Sequence, residues 1–148
     1  MKCVKILLVL MLAFASVTMF SQTPLSSVVA AGNKVFVQVD NDEEHPLPED
    51  EILDVIRETA AAGQWESVSS VEEADFVITV KAKKRMVFNS PRTWLTPSVS
   101  DKEGNVLWKG DTYKADATMF NGFKATNTAI AKMIEVGFVK GLFKAAGR

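Results

Sequence analysis

Ala74-Asp-Phe-Val-Ile-Thr-Val-Lys-Ala-Lys-Lys-Arg-Met-Val-Phe88 is the stretch that decides the fold. Phe76, Ile78, Val80, Ala82, Met86 and Phe88 fall on one side of it, and Val77, Thr79, Lys81, Lys83 and Arg85 on the other. Strand side chains point to opposite faces with a period of two, so one face is predicted buried and the other wet. A half-wet sheet of this kind is covered by helices on a single side.

Upstream, Lys34-Val-Phe-Val-Gln-Val-Asp40 alternates in the same way, with Val35, Val37 and Val39 on one side. After a loop at residues 41–46, Pro48 presets φ for a helix start, and Glu49, Asp50 and Glu51 suit the positive end of the helix dipole. Ile52, Leu53, Ile56 and Ala60 form the expected apolar stripe, and Gly63 the expected left-handed cap. Downstream, Asn89-Ser-Pro-Arg92 is predicted to turn the chain. Two short strands follow, Thr93 to Ser100 and Val106 to Tyr113, joined by Asp101-Lys-Glu-Gly-Asn105. Thr126 to Ala146 reads as a second helix whose stripe, Ile130, Ile134, Phe138, Gly141 and Ala145, advances mostly by four. The predicted class is α+β: one mixed four-stranded sheet in the order β-α-β-β-β-α, with both helices packed on one face. The first two strands are parallel across the helical crossover and the last three form a meander.

The chain's start has a different character. Lys2 and Lys5 precede a run, Ile6 to Phe20, of 15 residues without a charge. That is short of the ~20 needed to cross a bilayer. A basic start, a short apolar core and a polar step at Ser21-Gln-Thr-Pro24 describe a secretory signal peptide over residues 1–21, with cleavage as late as 31 equally acceptable on residue size. A single domain over residues 34–148 then remains, periplasmic or secreted, with no stable membrane insertion after the signal is removed. The only cysteine, Cys3, lies inside the signal, so the exported part has no thiol, no disulfide and no cysteine-ligated metal.

Charge is nearly balanced overall, −1 for the chain, but unevenly placed. Asp40 to Asp75 carries 13 acidic residues and only Arg57 as a base, whereas Phe76 to Arg148 carries 13 basic residues and 5 acidic ones. In one small domain both halves lie within about a Debye length and are expected to neutralise one another.

Three patterns carry a family resemblance. These are Ser70-Val-Glu-Glu-Ala-Asp-Phe-Val-Ile-Thr-Val80, the hairpin Val99-Ser-Asp-Lys-Glu-Gly-Asn-Val-Leu-Trp-Lys-Gly110, and the Ala-containing helix that closes the chain. Together they resemble the small α+β domains of bacterial cell-envelope proteins, of the type in the curli secretion-channel subunit and the lipoprotein activators of penicillin-binding proteins. The resemblance covers most of residues 34–146. It implies a non-catalytic domain that docks on other envelope proteins or assembles with copies of itself. Many members carry a lipid on a cysteine just after the signal core; this chain has none there.

For catalysis the sequence offers little. His45 is the only histidine, and no Gly-x-Ser-x-Gly is present. A small hydrolase with a carboxylate pair is one alternative, because Asp and Glu are abundant. A better chemical alternative is a divalent-cation site at Asp40, Asp42, Glu43, Glu44 and His45, where hard oxygen ligands gather within six residues, although the spacing is not that of a calcium loop. No cofactor is expected. For partner binding the candidates are Trp94 and Arg92, a pairing that anchors interfaces, with Lys81, Lys83 and Arg85 on the wet strand face. The partner expected there is an envelope protein or an anionic glycan, and self-association is also open. Export argues against nucleic acid, despite the basic residues and tryptophans. Trp65 is expected to cover the end of the first helix and Trp108 to lie in the core.

Overall fold

The computed structural model describes residues 23–148. The signal peptide expected over residues 1–21, and Cys3 with it, lies outside the described residues. Elements follow in the order α1 (Leu25–Val28), β1 (Lys34–Asn41), α2 (Glu49–Ala62), β2 (Glu66–Ser67), β3 (Phe76–Val87), β4 (Ser90–Asp101), β5 (Val106–Lys109), β6 (Tyr113–Asp116) and α3 (Ala125–Lys132). The last helix continues with π-helical winding through Met133–Phe143.

The α+β class and the mixed sheet are as expected, but the sheet has six strands rather than four. β1 runs parallel to β2 and β3, β3 is antiparallel to β4, and β4 is antiparallel to both β5 and β6. The strand expected over Val106 to Tyr113 is split in two. Ser98 pairs with Lys109 and Leu95 with Tyr113, so one extra residue enters at Gly110 to Thr112. The break lies opposite Pro97, which has no N–H to give the ladder, although its carbonyl still accepts from Gly110 at 2.9 Å. The turn expected at residues 89–92 is also tighter than read. Val87 pairs with Ser90, leaving only Phe88 and Asn89 in the loop, both with left-handed φ (48° and 63°) as a two-residue hairpin requires.

The register places Val35, Val37, Phe76, Ile78, Val80, Ala82, Leu95 and Val99 on one face, all buried, and both long helices pack against it. At the far end of β3 this face runs out: Met86 and Phe88, read as buried, are exposed. On the opposite side Val77, read as wet, is buried between Phe36 and Ser100 of the flanking strands. α2 starts after Pro48 with three acidic residues in its first turn, as expected. Its inner stripe is Ile52, Val55, Ile56, Thr59 and Ala60, whereas Leu53 points outward. Gly63 is right-handed and Gln64 supplies the left-handed residue. Glycine is needed at 63 for space, since a Cβ there would stand 2.1 Å from the Trp65 ring.

Trp65 closes that end of the core as expected. It meets Phe76, Phe138 and Phe143 edge-on, and its Nε1 donates to the Val29 carbonyl at 3.0 Å. Ordered structure therefore begins before Lys34, with Val28 and Val29 in the core. In the final helix the buried positions are Ala125, Thr126, Ala129 and Ile130 in its first part, then Met133, Gly137, Phe138, Leu142 and Ala146; Ala145, placed in the stripe, is exposed. Wider π winding moves the inward face along the chain faster than an α-helix would, which is why the stripe advances by four and five. Gly137 and Gly141 let this helix approach Tyr113 and Trp108 of the sheet. Trp108 is half-buried against Phe138, at 6.3 Å between ring centres. Among the described residues no helix is long and apolar enough to cross a membrane.

Candidate functional site: the open sheet face

The face of the sheet without helices carries Lys81, Lys83, Arg85, Arg92 and Trp94, brought together by the β3–β4 register. Lys83 sits directly opposite Trp94, and Arg85 directly opposite Arg92. Lys83 Nζ lies 5.4 Å from the centre of the Trp94 ring, Arg85 Cζ 5.3 Å and Arg92 Cζ 5.8 Å. Each distance is within cation–π range. Two like charges directly opposite on a sheet repel. Arg92 is relieved by a two-pronged ion pair with Asp116 of β6, its Nη2 donating at 2.9 Å and its Nε bonding the other oxygen. That hydrogen bonding holds the Asp116 carboxyl below the usual carboxylate range and raises Arg92. Lys83 and Arg85 have no acidic partner among the described residues.

Trp94 also lines a groove of about 430 Å³ together with Lys81, Lys83, Asp40 and Asp42. Part of each set of candidates thus meets in one groove, while Glu43, Glu44 and His45 are not among its lining residues. Thr96 and Thr112, which sequence reasoning missed, line it as well, with hydroxyls 2.8 Å apart. Thr96 was detectable, since it alternates with Trp94 and Ser98; Thr112 was not, because it lies in the bulge. Lys81 sits directly opposite Asp40 on the neighbouring strand and reaches its carboxylate at 3.5 Å. So exposed a pair contributes little stability.

The acidic loop does not converge. Asp42 Oδ1 accepts from the backbone N–H groups of Glu44 and His45 at 3.1 and 2.9 Å, which fixes the turn. His45 Nδ1 stands 3.7 Å from Asp42 and 4.0 Å from Glu44. Among the described residues no three His, Cys, Asp or Glu side chains are arranged to hold a metal ion. A second groove, about 410 Å³, contains the carboxylates Asp54, Glu58 and Glu135. Arg57 engages both Asp54 and Glu58 at 3.1 Å, and Lys140 reaches Glu135 at 3.4 Å, so each carboxylate there has a cation.

The fold and its open face define a class: a small α+β domain with helices on one side of a mixed sheet and a basic, tryptophan-centred surface on the other. No family model and no curated protein matches the chain. Solved structures do. PelC from Paraburkholderia phytofirmans, a dodecamer, superposes with a TM-score of 0.53 at 16% identity, covering 79% of this chain and 90% of its own. Uncharacterized lipoprotein B from Nitrosomonas europaea gives 0.53 at 10% identity, covering 78% and 90%. At such identities the likeness is one of fold.

Proposed function

We propose that the chain is an exported bacterial envelope protein, periplasmic or secreted, that acts without catalysis by docking an acidic segment of another envelope protein on its open sheet face. One observation carries this: Lys83, Arg85 and Arg92 crowd around Trp94, and only Arg92 has a counter-ion. Crowding of this kind does not stabilise the fold; it favours a surface that receives negative charge from outside. A half-buried Trp beside Arg is the type of anchor that concentrates binding energy. Export rests on Lys2 to Phe20, and the fold shared with uncharacterized lipoprotein B agrees with it. The dodecameric state of PelC supports assembly with copies of itself as a second mode of action.

The test uses poly-glutamate and polygalacturonate as protein-like and glycan-like probes. Poly-glutamate is expected to bind, to weaken at least about tenfold with Trp94→Ala, and to be lost with K83E/R85E or at high salt. Binding of polygalacturonate alone would move the assignment to a glycan. Poly-glutamate binding that K83E/R85E leaves unchanged would reject this face as the site.

A further inference from the structure

The molecule has an apolar pole that docking on the sheet face does not use. β1 ends at Asn41, opposite Ala82, while β3 and β4 run on to their turn. β6 flanks β4 as far as the Arg92–Asp116 pair, and beyond it Met86 and Val87 project with Ser90 and Pro91 as a short two-stranded ribbon. At its apex Phe88 is fully exposed, and Met86 just below it is 62% exposed. The segment after β6 reaches the same pole, because Ser90 Oγ donates to the Ala117 carbonyl at 2.6 Å and Ala117 N to the Pro91 carbonyl at 2.8 Å. That segment adds Met119, Phe120 and Phe123, exposed at 80%, fully and 67%. Five of the nine large exposed apolar side chains among the described residues thus gather at one pole.

Phe88 and Phe123 are also held at φ of 48° and 61°. An L-residue with a bulky side chain is disfavoured there, and Asn or Gly fits better. A phenylalanine that is fully exposed and in a left-handed backbone does nothing for the fold. Its contribution has to come from what it meets outside.

We propose that this pole docks peripherally on a lipid bilayer with anionic headgroups, inserting Phe88, Met119, Phe120 and Phe123 to the depth of the interface. The tip is convex, so a second copy would have to offer an apolar recess. The two grooves described above are instead lined by charges, Asp40, Lys81 and Lys83 in one and Asp54, Arg57 and Glu58 in the other. A bilayer needs no matching cavity. Charge selects the lipid: Lys83 and Arg85 stand behind Phe88, and Lys124 follows Phe123, none with an acidic partner among the described residues. Apolar insertion plus a basic collar is the two-part attraction that holds peripheral proteins on anionic membranes. Glu43 and Glu44 lie where β1 ends, on the opposite flank of the ribbon, so the pole meets the headgroups with its β4–β6 side leading.

Hydrogen exchange of the full chain, read peptide by peptide by mass spectrometry, localises the contact whatever residues 1–22 do. With vesicles of phosphatidylglycerol and phosphatidylethanolamine, amides in 84–92 and 117–125 are expected to slow several-fold, and less with phosphatidylcholine alone. The variant F88N/F120S is expected to lose that slowing with its Tm unchanged or raised, since Asn suits the left-handed turn. No slowing in these segments on any vesicle, or slowing that survives F88N/F120S, overturns the proposal. Equal slowing on both lipids overturns the anionic assignment. Slowing that grows with protein concentration in the absence of vesicles gives the pole to a second copy instead.

Discussion

Thr59 is fully buried in α2, and its Oγ1 has no hydrogen-bond partner. A buried hydroxyl without a partner loses its water and gains nothing in return. Thr59→Val keeps the shape and removes the unpaired group, so it is expected to raise stability by about 1 kcal/mol, read as a higher urea midpoint at unchanged m. Thr93 and Thr126 are buried in a different way. Their hydroxyls lie 3.0 Å apart, Thr126 also bonds Glu51, and Glu51 takes Lys84 Nζ at 2.5 Å. This chain of contacts ties α2, α3, β3 and β4 together at the base of the ribbon. Little of it was legible in the sequence, because Lys84 falls at a core-face position of its strand and reads there as a break in the pattern. The Trp65 role was legible from its place after a helix. The role of Gly63 was not, since steric room for a neighbouring ring leaves no mark distinct from a cap.

Among the elements, β4 is the one that organises the molecule, since it pairs with β3, β5 and β6. Its tie to β6 at the ribbon's base is the Arg92–Asp116 pair. Hydrogen bonding to Arg92 depresses the folded Asp116 carboxyl, so the pair's stabilisation is fully present above the ordinary Asp value of about 3.9 and is lost as pH falls through the depressed value. Asp116→Asn is therefore expected to lower the urea midpoint at pH 7, with the difference from the parent chain closing in strong acid. A difference that stays constant from pH 7 to pH 2 would show that the loss is one of packing. Alternation was enough to reveal β1, β3 and most of β4 and to put Lys81, Lys83 and Arg85 on one face, because a strand's period fixes its faces, whereas Arg92 was read in a turn and joins them only through the β3–β4 register. The split of β5 from β6 was not readable, since it depends on what Pro97 fails to donate across the sheet. The four-residue advance in the last helix was visible, but π winding was only one of its possible causes.

At the scale of the whole molecule, the acidic and basic halves do meet, as Lys81–Asp40 and Lys84–Glu51 cross between them. Core and chain start are also joined. The Val29 carbonyl accepts from Trp65 Nε1 and from Arg148 Nη1, the latter at 2.6 Å. Processing at residue 31 would remove that acceptor together with two core valines, so the cleavage that goes with the proposed export is expected upstream of Leu25. Amino-terminal sequencing of the secreted form checks this, and a start at Gly32 would refute it. The two rims of the sheet set a different limit. One rim is β2, only two residues long, and the other is broken into β5 and β6 with Lys109 and Lys114 along it. The β5–β6 rim offers no continuous row of free backbone groups, but past β2 residues 36–41 of β1 have no strand partner on that side among the described residues. A neighbouring molecule that added itself as a further strand would therefore have the free stretch of β1 to align on, and at the broken β5–β6 rim any ring or array has to be built through side-chain contacts.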